Sequence, residues 1–299
     1  MRDTTDRRRG LQAPRRRNLS LFADLGVTRA RTSCVTALRR RLDREGLVIF
    51  ENGLDVERVG RLTSAVDRVW RTRGDGSALH LLGFVGLDEA FVELVDHPAV
   101  LPLVCEVLGC NVFVYHCHLD IHPPLERSPA PAWRWHQDGG RQNVELAEPR
   151  PQLSLKVAYV LTDVDEPEQG AMWLIRGSHR RDRLERPRNG SVRPPSAEPL
   201  LVRAGTVVVF DRRLWHARGD NVSRRTRKVL YYAYTHRWIR PRDQLLGVDD
   251  ELLARQDPVR RQLLAGTGPS GYWIPTDDDV PLAVQYEVGE MFSSETAMS

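Results

Sequence analysis

Apolar and polar positions repeat along this chain with two different periods, and the change from one to the other falls near Gly109. Ahead of it, Leu38 and Leu42 with the run to Arg44 predict a short helix that Gly46 ends. Leu47-Val48-Ile49-Phe50 predicts a buried strand closed by the turn signal Asn52-Gly53. Asp55 is then placed as the N-cap of a helix carrying Val59, Leu62, Val66 and Val69 on one face. The stretch Phe91–Leu108 reads as helix twice over, broken at Pro98 and stopped by Gly109. Beyond Gly109 the repeat is two residues long. Strands are expected at Asn111–Ile121, Ala132–His136, Leu153–Leu161, Met172–Ile175, Thr206–Phe210 and Val229–Tyr234, separated by Gly-, Asp- and Pro-rich turns. Residues 180–199 are polar and Pro-rich and read as a surface loop, and helix returns around Asp249–Leu264. Many short strands at this spacing predict a mainly β fold with flanking helices, a closed or double-sheet antiparallel barrel or jelly roll. Its core runs from about 110 to 240, with a helical flank before it and an extension over 241–299.

Composition refines this picture without changing it. The chain has 299 residues, 41% hydrophobic and 28% charged, enough for one sizeable domain over 21–299. The net charge of +4 suggests an acidic partner until it is located. Residues 1–17 alone hold seven Arg and two Asp, which leaves the remainder at −1. The basic character therefore belongs to an expected disordered tail over 1–20, and a nucleic-acid partner is not expected. No apolar run is long enough to span a membrane, and no apolar segment follows the charged start, so neither a membrane nor a secretory route is expected. Four cysteines without CxxC spacing read as reduced thiols of a cytoplasmic protein. Oligomeric state is left open.

The strongest chemical signal is Trp133-Arg134-Trp135-His136-Gln137-Asp138-Gly139. Residues i and i+2 of a strand share a face, so His136 and Asp138 can present an imidazole and a carboxylate side by side. A facial iron site needs two His and one carboxylate with its opposite side open. His216, just past the apolar strand Val207–Phe210, offers the third ligand. Eleven residues further on lies Arg227, whose planar fork suits the far carboxylate of a dicarboxylate cosubstrate. Each residue alone has an ordinary reading: a solvated turn at Asp138, a satisfied histidine at 216, a surface charge at 227. Only the ordered set is specific. His116 and His118 alternate on one strand and could form a metal pair, but His118 reads better as a pocket residue near cosubstrate or substrate. Ser178-His179 is expected in a surface turn. Trp133, Gln137 and Trp215 are candidate substrate-pocket residues.

This ordered set resembles the phytanoyl-CoA dioxygenase family of non-haem iron, 2-oxoglutarate-dependent oxygenases, in a branch of small-molecule tailoring enzymes. The resemblance runs from the Gly46-Leu47-Val48 region to about Pro241 and includes Leu161-Thr162-Asp163 and Gly170–His179, where Arg176 replaces the family's usual proline. It implies a double-stranded β-helix (a cupin-like jelly roll), His136, Asp138 and His216 as Fe(II) ligands, and Arg227 on 2-oxoglutarate, with O₂ as co-reactant. Many relatives carry Ser two residues after the distal His, where this chain has Arg218. Related halogenases have a small residue in place of the carboxylate, so Asp138 argues for C–H oxidation: hydroxylation, desaturation or ring closure. A free small-molecule substrate in specialised-metabolite (antibiotic-type) biosynthesis is expected. The alternatives are a fatty acyl-CoA hydroxylase and a non-catalytic metal- or ligand-binding β-barrel.

Overall fold

The computed structural model describes residues 30–127, 129–130, 132–265 and 280–282. The expected basic tail at 1–20 lies outside them. Helix α1 (Ala30–Glu45) leads through Gly46 into strand β1 (Leu47–Phe50) and helix α2 (Val56–Arg73). Asp55 caps α2 by accepting the Arg58 N–H at 2.7 Å, and the helix buries Leu62, Ala65, Val66 and Val69. Strand β2 (Leu79–Leu82), helices α3 (Glu89–Val92) and α4 (Leu101–Leu108), and strand β3 (Val112–His122) follow. A short helix α5 (Gln142–Glu145) precedes β4 (Ser154–Val160), β5 (Met172–Leu174), β6 (Glu198–Leu200), β7 (Val207–Asp211), β8 (His216–Arg218) and β9 (Arg227–His236). Helices α6 (Asp250–Ala254) and α7 (Pro258–Ala265) come last.

The strands form a six-stranded sheet in the order β1-β7-β4-β9-β3-β2 and a three-stranded sheet β6-β5-β8. All the pairings are antiparallel. Single bridges at His136↔His216, Val164↔Val202 and Gln169↔Asn221 add to these ladders. The architecture is mainly β, a jelly roll with helices on one side. Alternation along each strand divides the large sheet into two faces. Leu155, Val157 and Tyr159 of β4 and Leu230, Tyr232 and Tyr234 of β9 pack with the helices. Lys156 and Arg227 with Tyr231 point the other way, into a cavity.

Strand β3 would break this division were it regular. Val112 and Val114 belong to the helix-side core, and so do Cys117, Leu119 and Ile121, which have the opposite parity. A β-bulge between Val114 and His116 inserts the extra residue that reconciles them. It sends His116, His118 and Asp120 together to the cavity side.

Several elements differ from expectation. The segment 132–136 forms no strand beyond the bridge at His136, because side chains anchor it instead: Arg134 to Asp220 at 2.5 Å and the Trp135 indole N–H to the Val192 carbonyl at 3.0 Å. The segment Glu198–Leu200 is a strand despite Pro199, which is tolerated because β6 is an edge. The C-terminal helix is split at Pro258, which cannot continue an α-helix. Ser178 and His179 are not in a surface turn. Both are buried, with the Ser178 hydroxyl accepting the Trp215 N–H at 2.9 Å and His179 Nε2 at 3.1 Å from the Asp43 carbonyl. All four cysteines are free thiols, and among the described residues no helix is long and apolar enough to cross a membrane.

Three tyrosines bolt the sheet to the segment around α3. Tyr159, Tyr232 and Tyr234 donate their hydroxyls to the carbonyls of Leu94 (3.1 Å), Phe91 (2.8 Å) and Val95 (2.9 Å). Removing the Tyr232 hydroxyl takes away one of the hydrogen bonds to the Phe91 carbonyl, which keeps the Leu94 N–H at 3.2 Å. Tyr232→Phe is therefore expected to lower stability by about 1 kcal/mol, read as a shift of the urea midpoint, while metal binding at the cavity is unchanged.

Candidate active site

The segment before α5 meets β8 through one two-way backbone pairing: His136 N–H to His216 O and His216 N–H to His136 O, both 3.0 Å. This pairing sets the two imidazole centroids 4.2 Å apart. Asp138 follows two residues after His136 and is held by its own backbone. Its N–H donates to the Arg212 carbonyl at 2.8 Å, and its carbonyl accepts from Arg212 Nη1 and Asn143 Nδ2, both at 3.1 Å. Gly139 turns the chain there with φ of 124°, and a Cβ at that point would collide with the Arg212 guanidinium. One donor atom from each of His136, Asp138 and His216 lies within 4.8 Å of the other two.

The free atoms of this cluster suit a cation. His136 Nδ1 is 3.0 Å from the Arg134 carbonyl and His216 Nδ1 is 2.9 Å from the Leu214 carbonyl. Each Nδ1 must therefore carry the proton, which leaves both Nε2 atoms as lone-pair donors. Burial pushes His216 down to about 4, with Asp138 pulling the other way, so the ring is neutral near pH 7. Burial alone would raise the Asp138 carboxyl, but Lys156 and the two imidazoles outweigh it and hold it well below the usual carboxylate range. Lys156 donates to Asp138 Oδ1 at 3.1 Å, while the buried Oδ2 has no hydrogen-bond partner among the described residues. Two imidazoles and a carboxylate with a spare oxygen make a set of donors suited to a divalent iron-type ion.

These residues line a cavity of about 340 Å³ that also contains Arg227, Tyr231 and His118. Arg227 is buried and donates from Nη2 to the Tyr231 hydroxyl at 3.1 Å, whereas its Nε and Nη1 have no partner among the described residues. A buried guanidinium with two idle donors is costly unless an anion completes it. Beside this cavity, and sharing Arg134 and Arg218 with it, a groove of about 280 Å³ is lined by Trp135, Trp173 and Arg193.

His136, Asp138, His216, Arg227 and His118 thus meet in one cavity. Trp133, Gln137 and Trp215, expected in the substrate pocket, do not line this cavity. Strand alternation gives the reason: neighbours of inward-facing residues face outward. Gln137 instead donates to the carbonyls of Arg181 and Arg213 and accepts from Arg150, and the Trp215 indole donates to Arg181 O at 2.8 Å. Trp133 lies under the Arg186 guanidinium. Arg176 pairs with Glu45 and Glu198 outside the cavity. Arg218 donates to His122 Nε2 at 2.8 Å. Residues that the motifs did not single out are Lys156, Tyr231, Arg212 and Asp243, the partner of His116. Lys156 did leave a trace, being one of two lysines in a chain that otherwise uses arginine.

The model for the phytanoyl-CoA dioxygenase (PhyH) family matches residues 42–229. An ectoine dioxygenase of Nocardia farcinica is 24% identical over 231 residues, covering 64% of this chain and 74% of its own length. Among solved structures, HygX from Streptomyces hygroscopicus, crystallised with nickel and 2-oxoglutarate, superposes with a TM-score of 0.56 at 15% identity, covering 75% of this chain and 93% of HygX. The carbocyclase SnoK from nogalamycin biosynthesis gives 0.53 at 24% identity, covering 74% and 90%. The chain belongs to the phytanoyl-CoA dioxygenase family. It is accordingly an oxidoreductase, a non-haem Fe(II)- and 2-oxoglutarate-dependent dioxygenase that uses O₂.

The neutral buried imidazole has a consequence for stability. The unfolded chain protonates His216 near pH 6.5, but the folded, metal-free chain does so only near about 4. Between those values falling pH favours the unfolded state, so stability declines as the solution is acidified. This contribution is complete above about pH 6.5, lost below about pH 4, and at most ~3 kcal/mol. His97, buried against Tyr159 and also at about 4 through burial, adds to the same slope. Urea midpoints of the metal-free protein are expected to fall between about pH 7 and about pH 4.5, with a shallower slope in His216→Ala.

Proposed function

We propose that His136, Asp138 and His216 hold the ferrous ion, that Arg227 holds the far carboxylate of 2-oxoglutarate, and that the enzyme oxidises an aliphatic C–H of a free small molecule. One observation carries this reading: two groups without a hydrogen-bond partner among the described residues, Asp138 Oδ2 and the Nε/Nη1 edge of Arg227, line the same cavity as two imidazole lone pairs. A ferrous ion bound there supplies O₂ activation coupled to conversion of 2-oxoglutarate into succinate and CO₂.

The chain's own residues do the rest. The carbonyls of Arg134 and Leu214 keep the two Nε2 atoms unprotonated and aimed at the cavity. Lys156 holds one oxygen of Asp138 and leaves the other for the ion. The Tyr231 hydroxyl takes one N–H of Arg227, which fixes the fork so that its remaining donors can receive a carboxylate in two hydrogen bonds. The groove beyond Arg134 and Arg218 presents two indoles and Arg193, stacked 3.6 Å over Trp173, and is the surface that would seat the bulk of the substrate. Its size and aromatic lining suit a compact scaffold better than an extended acyl chain. Neighbours of similar fold that act in nogalamycin biosynthesis support a tailoring role of this kind. Asp138 as a carboxylate leaves no ligand position for a halide, which favours hydroxylation, desaturation or ring closure over halogenation.

A screen of small metabolites for substrate-dependent succinate formation with Fe(II) and 2-oxoglutarate tests the reading. His136→Ala is expected to abolish turnover. Arg227→Ala should raise the KM for 2-oxoglutarate about 100-fold, since truncating one partner of a buried charge pair costs about 2–5 kcal/mol. Unchanged 2-oxoglutarate saturation in Arg227→Ala would show that the carboxylate binds elsewhere.

A further inference from the structure

A second part of the same cavity lining carries a similar set of side chains. His118-Leu119-Asp120 on β3 has the same His-x-Asp order as His136-Gln137-Asp138, and the bulge in β3 turns both polar side chains into the cavity. His80 of β2 sits directly across from Asp120 in the antiparallel register. One donor atom from each of His80, His118 and Asp120 lies within 4.8 Å of the other two.

The proton on His118 is also placed as a metal-bound imidazole requires. Asp243 accepts the Nδ1–H of His116, so His116 Nε2 is a lone pair. That lone pair receives Arg242 Nη1 at 3.3 Å and His118 Nδ1 at 3.0 Å. His118 therefore carries its proton on Nδ1 and turns a free Nε2 to the cavity, held by a carboxylate–histidine chain of the kind that orients metal-bound imidazoles. The ring is fixed further by stacking on Tyr231, with centroids 4.5 Å apart. Asp120 is buried, and His80 Nδ1 lies 2.6 Å from its Oδ1. The His80 side chain is 53% exposed, at a point where the cavity and a neighbouring surface pocket share its ring. Water can reach this mouth to complete a coordination shell and to solvate the added charge.

We infer that His80, His118 and Asp120 form a second binding site, separate from the triad at 136, 138 and 216, for a divalent transition ion of the Fe(II), Co(II), Ni(II) or Zn(II) class. The inference does not depend on Arg227 or on the substrate, only on these three side chains and the chain behind His118.

The test is an anaerobic Co(II) titration of the untagged, metal-free full chain, with ions per chain counted by mass spectrometry after gel filtration and d–d absorption recorded. Two Co(II) per chain are expected in the wild type, one in His80→Ala, one in Asp120→Asn and one in His136→Ala. His80 is half exposed, so its alanine variant guards against misfolding of the buried Asp120 variant. A wild type holding one ion that His136→Ala loses would overturn the second site and leave the first intact. Two ions retained in both His80→Ala and Asp120→Asn would overturn it as well. A single ion kept in His136→Ala but lost in Asp120→Asn would support the second site and overturn the first.

Discussion

The site depends on one short antiparallel pairing, two backbone hydrogen bonds between His136 and His216. Residues 80 positions apart in the chain become cross-strand neighbours, and their rings come within 4.2 Å of one another. Nothing in the side chains holds the two imidazoles together, so the backbone must do it. The ladder is thin at this point, a single bridge beside the three-residue β8. Its rigidity comes from the surrounding polar clamps: Arg212 and Asn143 on the Asp138 backbone, and Arg134 on Asp220.

The second constraint is electrostatic. A cavity that gathers several arginines, a lysine and two carboxylates is stable only if each charge is matched or hydrated. The structure does this group by group. Lys156 matches Asp138, Asp220 matches Arg134, Asp243 lies beside Arg242, and Asp120 is flanked by His80 and His122. Arg227 has two buried donors without a partner among the described residues, and its register neighbour across the strands, His122, is already engaged by Arg218. The incomplete group marks where an anion belongs.

The helix side has a different logic. There the sheet offers aliphatic residues and three tyrosines, and the helices bring Leu62, Val66, Leu103 and Val104 against them. Only the tyrosine hydroxyls need partners, and carbonyls near α3 supply them. A rigid apolar backing of this kind lets the opposite face of the same strands carry polar groups without losing register.

Much of this was legible in the residues themselves. Strand and helix positions followed from period and from cap residues such as Asp55, Gly46 and Gly109, because those signals are local. The ordered set His136, Asp138, His216 and Arg227 pointed to the chemistry because ligand types and strand parity can be read along one dimension. The same parity keeps Gln137 and Trp215 out of the cavity, since each adjoins a residue that faces into it. Other features had no linear signature. The bulge in β3, which turns His116, His118 and Asp120 to one side, exists only because β3 must satisfy a helix-facing core at both ends. The partnership of Lys156 with Asp138, of Asp243 with His116, and of His80 with Asp120 joins residues on different elements. Such pairings are decided by which strands lie side by side, a property of the whole sheet and not of any segment in it.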